Sequence, residues 1–229
     1  MILAVVGGKG GVGKSTVAYN LGAHLDAVVV DADLAMADLP TGRGPDLHDV
    51  LAGRADPVEA VREGGPVPLL PCGRTLAGAR ACDPTDLVAA VEAVAAEYDR
   101  VVVDCPAGLG SDVGLALLAA CGCVLVTTSA PAALGDAVRS RALARELGAG
   151  LVAVVLNRAT GDHPTDLVAR ELGAPVTMIP ESERVRVTQE SGVPVVERFP
   201  DSPAVERFEA VARRVERTLT ADRRTSRGP

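Results

Sequence analysis

Short runs of consecutive apolar residues punctuate this chain. They fall at Ile2–Val6, Ala27–Val30, Val67–Leu70, Val101–Val103, Val124–Val126, Leu151–Leu156 and Val176–Ile179. Such runs, rich in valine, read as strands covered on both faces, which is how parallel sheets are built. The stretches between them change period, with apolar residues recurring every three or four positions. Residues 15–25 place Val17, Ala18, Leu21 and Leu25 on one face. Pro84 opens a helix over 84–97, with Leu87, Val88, Val91, Val94 and Ala95 as its stripe. A helix over 133–147 is expected to bury Val138, Ala142, Leu143 and Leu147, and Gly148 stops it. A short helix follows over 163–173, and a last one over 203–219 carries Val205, Phe208, Val211, Val215 and Leu219. Residues 39–66 are broken by Gly and Pro, with a short helix starting at Asp46. Strands alternating with helices predict an α/β fold, a mostly parallel sheet flanked by helices in three layers. One domain is expected over 1–219, followed by a polar tail at 220–229 that reads as disordered.

Composition narrows the picture. Aromatics make up 2% of 229 residues and there is no Trp, so the core is Val, Leu and Ala. That disfavours single-strand nucleic-acid binding, which stacks bases on aromatic rings. A net charge of −7 disfavours nonspecific DNA binding and a broad anionic-membrane surface. Five cysteines, an odd number without a secretory signature, read as reduced thiols in a cytoplasmic protein.

The chemistry begins directly after the first strand. Gly8, Gly13, Lys14 and Ser15 fit G-x-x-x-x-G-K-S/T, the phosphate loop. Glycines let successive backbone N–H groups of Gly10, Gly11, Val12, Gly13, Lys14 and Ser15 turn toward phosphate oxygens, and the helix start adds its positive end. Lys14 reaches the β- and γ-phosphates, Ser15 binds Mg²⁺, and Thr16 touches the α-phosphate. Lys9 and Lys14 are the only lysines in the chain; every other cation is Arg. Two sites therefore demand a compact ammonium where a guanidinium fork serves everywhere else. Downstream, Val101-Val102-Val103-Asp104 fits a strand whose terminal carboxylate holds the Mg²⁺ shell. Asp31 and Asp33 follow another strand, where a carboxylate serves either ligand chemistry or a helix cap and turn.

KGGVGKST resembles the deviant phosphate loop of the MinD/ParA family of ATPases, and the likeness extends over about residues 1–219. DADLAMADL resembles the family's first switch, DLHDVLAG its following segment, and DCPAG (104–108) its second switch. Asn157-Arg158, the Ile179-Pro180 loop and Gln189 to Val195 also match in order. The resemblance implies a P-loop NTPase fold, with ATP and Mg²⁺ as cofactors and a dimer that forms around ATP. It implies that Lys9 reaches the partner's nucleotide, and that Asp33 orients the attacking water beside Mg²⁺. It further implies that Gly108 admits a backbone flip toward the γ-phosphate. Asn157 and Arg158 would meet adenine, and the loop at Pro180 and Glu181 would pack on the base. The implied activity is slow ATP hydrolysis stimulated by an unidentified activator or cargo protein, in a spatial-positioning switch for division, partition or surface machinery.

Rival readings start from other residues. Some relatives bridge an iron–sulfur cluster with cysteines, which would use Cys121 and Cys123; the C-x-C spacing without a fourth ligand favours buried thiols. A non-hydrolysing ATP-binding scaffold would keep the loop alone. Guanine specificity is disfavoured, since no N-K-x-D is present. His48 reads as a partly exposed helix residue, and Arg139, Arg141 and Arg145 as a solvated face. The residues after Leu219 leave no room for the further amphipathic helix of membrane-positioning MinD proteins, so direct membrane binding is not expected.

Overall fold

The computed structural model describes residues 1–35, 39–161 and 163–225, with side chains to residue 219. Met36 to Asp38 of the DADLAMADL segment and the tail beyond Thr225 lie outside the described residues. In chain order the elements are β1 (Ile2–Val6), α1 (Lys14–Leu25), β2 (Val28–Asp31), α2 (Leu47–Val50), β3 (Leu69–Leu70), α3 (Leu76–Ala81), α4 (Leu87–Tyr98), β4 (Val101–Asp104), α5 (Ser111–Ala119) and β5 (Gly122–Thr127). Then come α6 (Pro131–Glu146), β6 (Gly150–Ala159), α7 (Thr165–Leu172), β7 (Val176–Pro180), α8 (Glu183–Glu190), α9 (Val195–Arg198) and α10 (Pro203–Thr225).

The seven strands form one parallel sheet in the order β3-β2-β4-β1-β5-β6-β7. Alternate residues of each strand feed two separate cores. Leu3, Val5, Val29, Val102 and Val124 pack with α1 and α10 on one face. Ala4, Val6, Val28, Val30, Val103 and Leu125 pack with α4 and α5 on the other. Both faces being covered explains the unbroken valine runs. β1 stands between β4 and β5, so the chain leaves the sheet centre toward opposite edges. That opens a crevice at the carboxyl ends of β1, β4 and β5, where ligands of such sheets bind.

Several helices depart from expectation for physical reasons. α5 (SDVGLALLA) was not marked by periodicity because nearly all its positions are apolar or glycine. α3 has no buried residue, and α8 is half charged and buries only Thr188, so neither shows a stripe. In α6 the buried residues are Ala133, Ala137, Ser140 and Ala144, whereas Val138 is 47% exposed and Ala142 is exposed. Small side chains thus face the sheet, and α6 also comes close to the phosphate loop: a Cβ on Gly8 would stand 2.6 Å from Asp136 Cβ. α10 buries Val205, Phe208, Val211, Val215 and Leu219 as expected, but its backbone stays helical to Thr225 rather than fraying after Leu219. No helix among the described residues is long and apolar enough to cross a membrane.

Candidate functional site

β1 ends at Val6, and the loop from Gly7 to Gly13 climbs over the crevice into α1. Its glycines are required at different places for different reasons. Gly11 and Gly13 have φ of 77° and 95°, the left-handed region that side chains resist. A Cβ on Gly7 would stand 2.7 Å from the Val126 carbonyl on β5. Gly13 caps α1, and that end has neither a side-chain cap nor an acidic residue in its first turn. Its orphan N–H groups, at the positive end of the helix, therefore have room for an anion.

The two lysines part company here. Lys14 is 7% exposed, and its stem runs beside Gly7, where an added Cβ would come 3.3 Å from Cδ. Lys9 is exposed in the same loop. Ser15 is half-buried and Thr16 buried at the start of α1.

Beneath the loop two carboxyls end adjacent strands in register, Asp31 on β2 and Asp104 on β4, with Asp104 also opposite Val5 of β1. They are 0% and 1% exposed. Burial first, and the neighbouring Asp104 second, hold the Asp31 carboxyl well above the usual carboxylate range. One oxygen of Asp31 accepts from the Asp33 N–H at 3.3 Å; the other, Oδ2, is buried without a hydrogen-bond partner among the described residues. Two buried carboxyls side by side call for a cation, and with the Ser15 hydroxyl they offer the hard oxygen donors that suit Mg²⁺. Ser15 and Asp104 would hold that ion. Asp33 lies on the loop after β2, half-exposed, with its carboxyl accepting from the Ala35 N–H at 3.3 Å.

The second switch leaves β4 at Asp104 and turns at Gly108, whose φ is 94°. It faces the phosphate loop closely, since a Cβ on Gly10 would stand 3.9 Å from Ala107 Cβ.

A cavity of about 310 Å³ opens beside Thr16 and is lined by Asn157, Arg158, Pro180, Glu181, Ser182, Glu183, Val185, Arg186 and Gln189. The fold thus brings the four residues expected around the base, Asn157, Arg158, Pro180 and Glu181, to one pocket next to the phosphate loop. Arg158 has φ of 52°, an uncommon backbone state for a side-chain residue, where the pairing of β6 with β7 shifts register. Asn157 does something unforeseen. It is buried, and its Nδ2 donates to the Val12 carbonyl at 2.9 Å, bracing the phosphate loop from below.

Contacts that join α1 to the Gln189–Val195 segment were not foreseen. Thr16 Oγ1 donates to Gln189 Oε1 at 2.6 Å, and Tyr19 donates to the Gly192 carbonyl at 3.0 Å. Asn20 donates to the Thr16 carbonyl and accepts from the Val195 N–H at 2.8 Å. These bonds pin the segment from 189 to 195 to α1. The available signal was the polar pair Tyr19 and Asn20 set between the apolar residues Val17, Ala18 and Leu21 of α1.

Two expectations need correction. His48 is 3% exposed rather than partly exposed, because α2 packs against the turn after β3. Cys121 and Cys123 are not a pair of buried thiols: Cys121 is exposed and donates to the Ile2 carbonyl, while Cys123 is buried and reaches the Ala149 carbonyl. One precedes β5 and the other lies within it, and both stand at the strand's amino end, opposite the crevice.

Comparison with known proteins agrees with this geometry. An uncharacterized ATP-binding protein of Methanocaldococcus jannaschii is 33% identical over 226 residues, covering 92% of this chain and 85% of that protein. The solved structure of the Pyrococcus furiosus cell division ATPase MinD superposes with a TM-score of 0.87 at 30% identity, covering 95% of this chain and 98% of that one. The septum site-determining protein MinD of Pyrococcus horikoshii, solved with Mg-ADP, gives a TM-score of 0.87 at 29% identity, covering 95% and 96%. Residues 3–195 match the CobQ/CobB/MinD/ParA nucleotide binding domain, and with that match over most of its length, and these relatives, the chain belongs to the MinD/ParA family of P-loop ATPases.

Proposed function

We propose that this chain hydrolyses ATP with Mg²⁺, and that its ATP-bound form dimerises as a switch that places another cellular component in the cytoplasm. The observation that carries this reading is the division between the lysines: Lys14 is buried at the start of α1, and Lys9 is exposed in the same loop. Lys14 and the loop N–H groups neutralise the chain's own triphosphate, leaving Lys9 directed to a second molecule's nucleotide. Mg²⁺ held by Ser15 and Asp104 would offset the negative charge on the phosphate oxygens. Asp33 accepts a hydrogen bond from the attacking water and so directs its lone pair. Gly108, already at positive φ, allows the second switch to turn an N–H toward the terminal phosphate without a Cβ penalty. Asn157 and the loop at Pro180 hold the base end. Stabilisation of this kind is positional and electrostatic, so turnover is slow until an activator orders the switches.

The cell-division relatives support a role in spatial placement, with an unidentified activator or cargo as partner. Charge of −7 argues against nonspecific DNA as the surface it moves on.

The test is light scattering with Mg-ATP. The Asp33→Ala protein binds ATP and accumulates as a dimer; the Lys9→Ala protein binds ATP as a monomer. A Lys9→Ala dimer of unchanged stability removes the cross-subunit role. Absence of phosphate release with every candidate activator would reduce the protein to an ATP-binding scaffold.

A further inference from the structure

Two buried side chains outside the phosphate loop grip the backbone that carries Asp33. Cys72, just past β3, donates its thiol hydrogen to the Asp33 carbonyl at 3.1 Å. His48, on α2, meets the next carbonyl, that of Leu34, with Nε2 at 3.0 Å. A carbonyl only accepts, so Nε2 carries the hydrogen. The other ring nitrogen, Nδ1, is buried with no hydrogen-bond partner among the described residues, and a ring with its hydrogen on Nε2 leaves it bare. The two gripping atoms, Cys72 Sγ and His48 Nε2, lie 3.6 Å apart, so the donors converge on consecutive peptide units.

The surrounding chain makes room for this arrangement. A Cβ on Gly73 would stand 1.8 Å from His48 Nδ1, and one on Gly78 would stand 2.8 Å from it. α2 is itself fixed by a capping box in which Asp46 and Asp49 satisfy each other's backbone N–H groups. Burial, with the carboxyls of Asp31 and Asp33 adding to it, pushes the Cys72 thiol up, so it remains a donor. Within the loop itself the Leu34 N–H donates to the Ala32 carbonyl at 3.0 Å, while the side-chain bonds, Asp33 N–H to Asp31 and Ala35 N–H to Asp33, are both longer at 3.3 Å, beyond the usual range for such pairs.

We propose that Cys72 and His48 are positioning residues for hydrolysis: by holding the Asp33 and Leu34 carbonyls they fix the direction in which the Asp33 carboxyl points. This rests on the role of Asp33 proposed above. Neither side chain lines the base pocket. Both act through the backbone, and a misplacement of about 1 Å at such a group costs 10- to 100-fold in rate.

The test uses Cys72→Ala, Cys72→Ser, His48→Gln and Gly73→Ala in the full chain. Cys72→Ser and His48→Gln each keep a donor. Gly73→Ala leaves both gripping side chains intact but pushes the imidazole out of place. Backbone amide exchange of residues 33–35 is measured first, without nucleotide. Cys72→Ala and Gly73→Ala accelerate it about fivefold, the factor one ordinary hydrogen bond is worth, while Cys72→Ser stays within about twofold of the parent. Phosphate release is measured second. Cys72→Ala and Gly73→Ala lower kcat about tenfold, ATP affinity changes less than about twofold, and Cys72→Ser restores the rate. Unchanged exchange in both damaging variants overturns the proposal. So does a loss of ATP affinity that equals the loss in kcat, which marks a merely structural role. If the parent protein releases no phosphate at all, the hydrolytic reading falls, and the exchange measurement alone decides whether the grip exists.

Discussion

Replacing Asn157 with Ala separates two jobs assigned to one amide. Its Nδ2 donates to the Val12 carbonyl at 2.9 Å, and it sits so close to the loop that a Cβ on Gly13 would stand 2.2 Å from it. Truncation leaves that carbonyl beneath a buried Val12 without its donor. A buried acceptor stripped of its partner costs about 1–3 kcal/mol. For a chain of this size each kcal/mol moves Tm by about 2–4 °C, so the nucleotide-free variant should melt roughly 2–12 °C lower. If the same amide also reads adenine, ATP loses a further hydrogen bond that inorganic tripolyphosphate never had, about fivefold in affinity. Calorimetric melting without nucleotide, then titration with Mg-ATP and with Mg-tripolyphosphate, resolves the two. The expected result is a lowered Tm, weaker binding of both ligands, and an extra loss of about fivefold for ATP. Equal losses for both ligands would refute the adenine contact. An unchanged Tm with unchanged affinities would refute the bracing argument altogether.

Three further outcomes test the packing around the site. Gly8→Ala forces α6 off the loop, since the new Cβ falls 2.6 Å from Asp136 Cβ; thermal denaturation should show a loss of about 1–3 kcal/mol. Gly10→Ala, whose Cβ meets only Ala107 at 3.9 Å, should stay within about 0.5 kcal/mol of the parent in the same assay, and equal losses for the pair would show that the close approach of α6 is not what matters. Phe208→Ala empties a fully buried position on α10 and should cost about 3–5 kcal/mol by denaturant unfolding; a cost below about 1 kcal/mol would mean that α10 does not seal the sheet. His24, at the end of α1, has a pKa lowered by burial, opposed by Glu209, and its Nε2 is buried without a partner. The unfolded chain therefore takes up the proton first, so stability should fall as pH drops below the ordinary imidazole value of 6.5 and level off below the folded-state pKa. Melting curves of His24→Gln between pH 7 and 5 should be flatter than those of the parent, and parallel curves would exclude His24 as the source.

Most strands were legible because a strand covered on both faces must be apolar at every position, and Val101 to Val103 needs no knowledge of its neighbours to say so. The phosphate loop was legible for a related reason. Its glycines, Lys14 and Ser15 act within a few bonds of one another, so their spacing in the chain nearly equals their spacing in space. The stripe of α10 could be read because the helix lies on a broad apolar surface and takes large residues there. α6 could not, because its inward face is made of the small residues Ala133, Ala137, Ser140 and Ala144, while the larger Val138 is turned to solvent.

What the sequence determined by itself was everything local: the period of each segment, the order of strands and helices, and a loop shaped for phosphate. The tertiary structure alone decided the pairings that join distant segments. Thr16 meets Gln189 across 173 positions, Asn157 holds Val12 across 145, and Cys72 reaches Asp33 across 39. No periodicity foretells such bonds, since each depends on how the sheet is ordered and how its crossovers return. A buried polar group takes whichever partner the closed chain brings within about 3 Å, and that choice exists only after the chain has closed.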